Sequence, residues 1–368
     1  MKANGLIERN QVKLIRNKKQ DVLLNQSLGK LNAVRDIFKA EYHSLENNLR
    51  QLVLTDLIRK DFQIHLGDNS AQFTQLGVLS YFESIRREII EQSWTVPVAV
   101  LTGSLVIIPT SAKEHLERLI PNSRLSYDVI GQLSQEDYLK VSVSGSHHDL
   151  VTTLTQLFQE GHIQVIIGTK SLLGEGWDAP CVNSLILASF VGSFMLSNQM
   201  RGRAIRVWPD NPNKTSNIWH LVSINLSPRR WFDFQDEKEK YDETLELQLY
   251  ALSPDLDLLD RRMTQFLGLH YQEPTIESGI DRLDLNQITF SRKGLEKLNQ
   301  NAITLSQKRQ ELKDRWQQAL PLYEEMEVAN EVRSTNNFTL AYLNDWMKAF
   351  LISQALAATY FIIDLGRY

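Results

Sequence analysis

The sequence predicts an α/β fold: a mostly parallel sheet with helices on both faces, followed by a mainly α-helical region. Three observations predict it. Short β-branched or apolar runs alternate with helix-period segments as far as Pro228, and such alternation builds a parallel sheet covered on both sides. Beyond Pro228 the strand signal almost vanishes. The chain has 368 residues, 42% of them apolar, enough for two or three domains with a sizeable core.

Residues 1–29 form a polar, basic lead-in with Lys13, Arg16, Lys18 and Lys19 closely spaced, read as an interdomain linker or a strand that needs a partner. A helix over 30–47 precedes the first strand, Gln51–Thr55. A helix-period segment from Leu79 to Gln92 then leads to strands at Val96–Leu101 and Leu105–Ile108. Ser111-Ala112-Lys113-Glu114 matches a capping box, in which the hydroxyl and the carboxylate satisfy free amides where a helix starts. A strand at Val141–Val143, a helix at Asp149–Gln159 and strands at Gln164–Ile167 and Ser184–Leu187 follow. Next come a helix holding Gln199–Arg206 and a last strand, Ile218–Ile224. Residues 30–227 thus make the α/β domain and residues 228–368 the helical region, with helices at Leu245–Leu252, Lys293–Met326 and Phe338–Ile363. Within the last, Ala349–Ile363 is uncharged and largely apolar for about fifteen residues, short of the roughly twenty that span a bilayer. It reads as a buried terminal helix, with a truncated membrane segment or a partner-docking helix as the other options.

Forty Lys and Arg against 44 Asp and Glu leave a formal charge of −4, so no global positive field draws the molecule to nucleic acid or acidic lipid. Any basic site must be local. One cysteine, Cys181, excludes an internal disulfide framework and a multi-thiolate zinc site, and reads as a small buried residue. The N-terminal stretch lacks an apolar core of signal-peptide length, so the expected location is the cytoplasm. His147-His148-Asp149 reads as a loop with a helix N-cap at Asp149, because adjacent side chains diverge and no ligand cluster accompanies them. No metal site is expected.

The chemistry concentrates between residues 165 and 206. Val165–Lys170 is a short apolar strand that stops at Gly168-Thr169, and Gly174-Glu175-Gly176-Trp177-Asp178-Ala179-Pro180 follows. In open α/β sheets ligands gather beyond the carboxyl ends of strands, and the glycines let the backbone approach a ligand closely. Trp177 reads as a packing residue. On the later helix Gln199, Arg203 and Arg206 are four and three residues apart and share a face. Two guanidiniums and an amide on one face make a clamp for a cluster of charged oxygens.

These segments resemble motifs V and VI of superfamily-two DEAD/DEAH-type helicases: Gly168-Thr169 with Gly174–Asp178, then Gln199-x-x-Gly202-Arg203-x-x-Arg206, in the expected order and separation. The resemblance covers about Leu52 to Leu226 and implies the second RecA-like domain, of the P-loop NTPase type. Leu52–Asp56 is similar to the motif IV strand, and Val100–Ser104 suits the end of the next strand. The resemblance implies that Arg203 and Arg206 are arginine fingers facing the γ-phosphate of ATP, where positive charge stabilises the transition state. Gln199 would sense that phosphate. Asp178 and Gly176, with Glu175 beside them, would touch the nucleotide or couple the two sites. Thr169 and Lys170, joined by Thr55 and Gly103 at the two other strand ends, would contact the backbone of DNA or RNA without reading sequence.

A helicase motor also needs a G-x-x-x-x-G-K-[ST] loop and an acidic Mg²⁺ motif. Neither is in this sequence. Ser27-Leu28-Gly29-Lys30-Leu31 lacks the upstream glycine and carries Leu where Ser or Thr would bind Mg²⁺. Glu136-Asp137 and Asp236-Glu237 follow no apolar strand. The expectation is the latter half of a helicase, inactive alone, whose ATP and Mg²⁺ are held mainly by a first RecA-like domain supplied in cis or in trans. The alternatives are a non-catalytic module that keeps the fold to bind nucleic acid or protein, and a subunit of a restriction or phage-defence motor. Arg229-Arg230-Trp231 and Arg261-Arg262 read as solvated helix ends or as phosphate contacts, and the helical region offers a surface to other subunits.

Overall fold

The computed structural model describes residues 7–8, 11–12, 27–56, 58–169, 177–189, 194–224, 254–270, 275–279, 281–283 and 292–324. The helices expected at 245–252 and 338–363, the residues around Trp231 and the apolar run 349–363 lie outside them. The chain divides into two compact units, Met1–Leu267 with Ser278–Gln317, and Gly268–Glu277 with Gln318–Tyr368.

The first unit is built on an eight-stranded sheet. Its strands are β3 (Gln51–Thr55), β4 (Val98–Leu101), β5 (Val106–Pro109), β6 (Leu125–Asp128), β7 (Tyr138–Val143), β8 (Val165–Thr169), β9 (Ser184–Leu187) and β10 (Asn217–His220), in the order β10-β9-β3-β8-β4-β5-β7-β6. The strands from β10 to β4 are parallel; β5, β7 and β6 extend the sheet by antiparallel pairing. The expected α/β fold is thus observed, with a three-stranded antiparallel margin. A parallel return after β4 needs a crossover of roughly a dozen residues. Only the turn through Gly103 separates β4 from β5, and the Thr102 amide donates to the Leu105 carbonyl across it at 3.0 Å, so the chain doubles straight back. In the lead-in, β1 (Ile7–Glu8) and β2 (Gln11–Val12) pair only with each other among the described residues.

Side chains alternate along the central strands, and both faces are covered. Leu52, Leu54, Ala99, Leu101, Ile166, Leu185 and Leu187 enter one core with helices α3 (Lys113–Leu119), α4 (His147–Glu160) and α5 (Phe194–Ala204). Val53, Val98, Val100, Val165, Ile167 and Ile186 enter a second core under α1 (Gly29–Leu45) and α2 (Val78–Glu91). This is the period-two pattern of strands buried on both sides. Buried Glu88 of α2 fastens the two helices to each other, its carboxylate lying 2.8 Å from Lys39 and 3.5 Å from Arg35 of α1.

Two expected caps are not the ones formed. Ser111 lies inside a 3₁₀ turn, Thr110–Ala112, and α3 starts after it without a side-chain cap, so the capping box is absent. The N-cap of α4 is Ser146, whose hydroxyl accepts from the His148 amide at 3.2 Å. Asp149 stands in the first turn, where its carboxylate accepts from Arg124 Nη2 at 2.8 Å.

Beyond residue 228 the described residues form α6 (Pro254–Met263), α7 (Arg292–Gln307) and α8 (Arg309–Glu324), the expected Lys293–Met326 helix being interrupted at Lys308. A short sheet of β11 (Leu267–Leu269) and β12 (Ile276–Ser278) interrupts the helical texture. Within the first unit, α7 packs on α1. There the Arg309 guanidinium donates to the Glu41 carboxylate at 2.6 Å and to the backbone carbonyls of Thr215 and Asn183 at 2.7 and 3.1 Å. In the second unit, His270 Nε2 lies 3.7 Å from the Glu277 carboxylate. No helix among the described residues is long and apolar enough to cross a membrane.

Candidate functional site

The carboxyl ends of β3, β8 and β4 lie side by side. Thr55 is level with Thr169, and Leu101 with Gly168. Thr55, Thr102 and Thr169 form a row along this edge, and all three are buried. The Thr102 hydroxyl holds the β4–β5 turn: it donates to the Leu105 carbonyl and accepts from the Leu105 amide, both at 2.9 Å. Gly103 is the exposed member of the edge, with open space where a side chain would stand. Thr55 and Thr169 therefore present little surface, and Gly103 presents its backbone. Lys170, Gly174, Glu175 and Gly176 lie outside the described residues.

The chain is held firmly again at Trp177. Its indole N–H donates to Thr155 Oγ1 of α4 at 2.7 Å, and Trp177, Ala179, Cys181 and Val182 all enter the core beneath that helix. Trp177 and Cys181 are thus the packing residues the sequence predicts, and burial pushes the Cys181 thiol up to about 12. Asp178, between two buried anchors, has nowhere to go but outward, and its side chain is 52% exposed.

Motif-VI-like residues reach the same place from α5. Met200 and Ala204 are buried in the core, which turns Gln199 to solvent and leaves Arg203 partly exposed at the rim. The helix ends at Ala204, and Arg206 follows in the turn, where its Nη1 lies 2.6 Å from Asp178 Oδ2. Burial lowers the Arg203 pKa, Asp178 opposes that shift, and Arg206 adds to it. The two guanidiniums and one carboxylate are thus electrostatic neighbours. Ile205 and Val207, 68% and 71% exposed, flank Arg206 with apolar surface. The sequence places Asp178 and Arg206 in separate motifs, and the structure joins them as a pair.

The end of α5 is fixed by residues with no motif of their own. Lys214 Nζ donates to the carbonyls of Ala204 and Val182 at 2.6 and 2.7 Å and to Ser216 Oγ at 3.1 Å. The Ser216 hydroxyl lies 2.6 Å from the same Ala204 carbonyl. A cation at the last carbonyls of a helix also complements its dipole. Burial pushes Lys214 down to about 8. Arg201, two residues before Arg203, leaves the helix on another side and stacks its guanidinium 4.0 Å from the Phe266 ring centroid.

The donor set suits a polyphosphate with its sugar. Two cationic forks stand on one rim beside a carboxylate able to accept from hydroxyls. Among the described residues no cluster of His, Cys, Asp or Glu could hold a metal, and His147 and His148 belong to the first turn of α4.

No protein-family model and no curated protein matches the chain. Among solved structures it is similar to the C-terminal part of the Fun30 ATPase domain, at 14% identity and a TM-score of 0.30, over 63% of this chain. The match spans 54% of that structure's length.

Proposed function

We propose that this chain is the second RecA-like lobe of an ATP-dependent helicase or translocase acting on DNA or RNA. The single observation that carries this reading is the convergence of Asp178, Arg203 and Arg206. The loop after β8 and the helix after β9 bring them to one exposed rim beside the amino ends of β9 and β10, where Lys214 and Ser216 tie the Ala204 carbonyl to that of Val182. Arg203 and Arg206 serve as charge donors to the terminal phosphate of ATP, with Gln199 beside them, and Asp178 releases Arg206 to that phosphate and accepts from the ribose. ATP with Mg²⁺ supplies the phosphoryl group and is held mainly by a first RecA-like lobe, because this sequence has no phosphate-cradling loop and no acidic Mg²⁺ box. Exposed Ile205 and Val207 give that lobe an apolar footing around Arg206. Gly103, Thr55, Thr169 and Lys170 border the path of the nucleic-acid backbone, which is followed without base readout.

Mixing the purified chain with a first lobe that carries both missing motifs tests the reading. The chain alone has no ATPase activity with single- or double-stranded nucleic acid. The mixture gains nucleic-acid-stimulated turnover, and Arg203→Ala or Arg206→Ala abolishes it. ATP hydrolysis by the chain alone would sink the proposal. Nucleic-acid binding that survives both substitutions, with no turnover on mixing, would favour a non-catalytic module instead.

A further inference from the structure

A second polar cleft lies at the carboxyl ends of β9 and β10, the opposite end of these strands from the rim. Ser189 follows β9, His220 ends β10, and Asp255, Leu259 and Arg262 come from α6; the space they line is about 320 Å³ including its mouth. Two of its polar atoms are not used up by the fold. Ser189 Oγ and His220 Nε2 are shut off from solvent and hydrogen-bonded to nothing among the described residues, and the same holds for Nε of nearby Arg201. A buried polar atom left in that state is costly to maintain, so a partner is to be looked for.

The charge around the cleft is mainly positive. Burial, with Arg201 and Arg262 adding to it, pushes His220 down to about 3, so it stays neutral beside two cations. Burial lowers the pKa of both guanidiniums as well, the mark of cations held partly out of water. Asp255, the carboxylate in the lining, is already engaged, with Lys30 Nζ at 2.8 Å and the Ser223 amide at 3.4 Å. A hydroxyl, a neutral imidazole and the Arg262 guanidinium form a donor set for an anion with several acceptor oxygens, and Arg201 adds positive charge nearby.

We propose that the cleft bounded by Ser189, His220 and Arg262, with the charge of Arg201 nearby, is a site for a phosphate-type oxyanion, separate from the Arg203–Arg206 rim. The hydroxyl and the imidazole N–H donate to its oxygens, and the guanidiniums supply charge. Paired N–H donors on guanidinium fit tetrahedral oxyanions well. Two sources carry this chemistry: free inorganic phosphate and the terminal phosphate of a nucleic-acid strand.

The test uses the full chain with Arg203→Ala and Arg206→Ala already in place, so that the rim cannot answer for the cleft. Inorganic phosphate is titrated against chloride at matched ionic strength, followed by calorimetry and by thermal unfolding. The expected result is phosphate-specific heat and a rise in Tm, since a ligand held only by the folded state raises stability. Arg262→Gln and, separately, Ser189→Ala weaken the affinity, the former by about tenfold or more, as loss of a charge-assisted hydrogen bond implies. Circular dichroism verifies that each variant is folded, and Arg262→Lys retains part of the binding. A parallel comparison of 5′-phosphorylated and 5′-hydroxyl oligonucleotides assigns the source. A preference for the phosphorylated strand that Arg262→Gln removes points to a strand end; no preference, with phosphate still bound, points to the free ion. Absence of any phosphate-specific response, or a response unchanged in both Arg262→Gln and Ser189→Ala, overturns the proposal.

Discussion

Asp178 Oδ2 lies 2.6 Å from Arg206 Nη1, and each of the two side chains keeps about half its surface in water, at 52% and 53% exposed. An ion pair so exposed contributes little to stability, about 0–1 kcal/mol. Asp178→Asn and Arg206→Ala should therefore each shift the urea unfolding free energy by less than about 1 kcal/mol. Under the proposed function, Arg206→Ala in the mixture with a first lobe should cut turnover by about a thousandfold or more, the effect of removing an arginine finger. A large loss of stability with little change in turnover would make the pair a brace and not part of a nucleotide site.

Lys214 behaves differently, because it holds the backbone on which Arg203 and Arg206 stand. Lys214→Met removes the ammonium donor to the Ala204 and Val182 carbonyls, which then share the Ser216 hydroxyl. The expected loss is about 1–3 kcal/mol, the usual cost of a buried acceptor left short of donors. The pH dependence has a definite direction. Burial holds the folded-state pKa near 8, below the ordinary 10.5, so between these values the unfolded chain binds more protons than the folded one. Stability contributed by this group is therefore gained as pH rises from about 8 toward 10.5. Subtracting the Lys214→Met unfolding profile from that of the unsubstituted chain isolates the trend, and a difference that falls with pH contradicts it.

Much of the scaffold is legible in the sequence, and the reasons lie in individual residues. Strands β3, β8 and β9 stand out because they are buried on both faces and so read as short unbroken apolar runs. The reversal between β4 and β5 is also readable, since Thr102-Gly103-Ser104 is too short to carry a crossover. The divergence of Arg201 from Arg203 follows from helix geometry, because residues two apart do not share a face. Other features leave no such trace. Lys214 binds backbone carbonyls, which every residue has, so no spacing reveals it. Ser146 and Asp149 are both good capping residues, and only the chain direction after β7 selects Ser146. The Asp178–Arg206 contact depends on where two loops end, which alternation of strands and helices does not specify.

His220 should make the protein sensitive to acid. Burial, with Arg201 and Arg262 nearby, lowers its folded-state pKa to about 3 from the ordinary 6.5. In the interval between, the unfolded chain takes up the proton and the folded chain does not, so stability is lost as pH falls from 6.5 toward 3. His220→Asn cannot titrate there and should flatten the acid limb of the stability profile. Chemical unfolding of both proteins at a series of pH values checks this, and parallel acid limbs would contradict it. Phosphate bound in the cleft should favour the protonated imidazole and also reduce the slope for the unsubstituted chain.

The last prediction concerns how far the α/β unit extends along the chain. Glu41 is fully buried and accepts from Arg309 at 2.6 Å, from the Trp219 indole at 2.7 Å and from Asn217 Nδ2 at 2.9 Å. Arg309→Met leaves this carboxylate buried without its counter-charge, and losing one member of a buried pair costs about 3–5 kcal/mol. Glu41→Gln added to Arg309→Met removes the stranded charge and should restore part of that loss, so the double variant should be more stable than Arg309→Met alone. A chain ending at residue 227 lacks Arg309 and α7 together. It should unfold at lower urea than a chain ending at residue 317, where the first unit ends. Equal midpoints for the two truncations would mean that the sheet does not draw stability from the helices after residue 292. In that case the boundary expected near Pro228 would also be the limit of the folded unit.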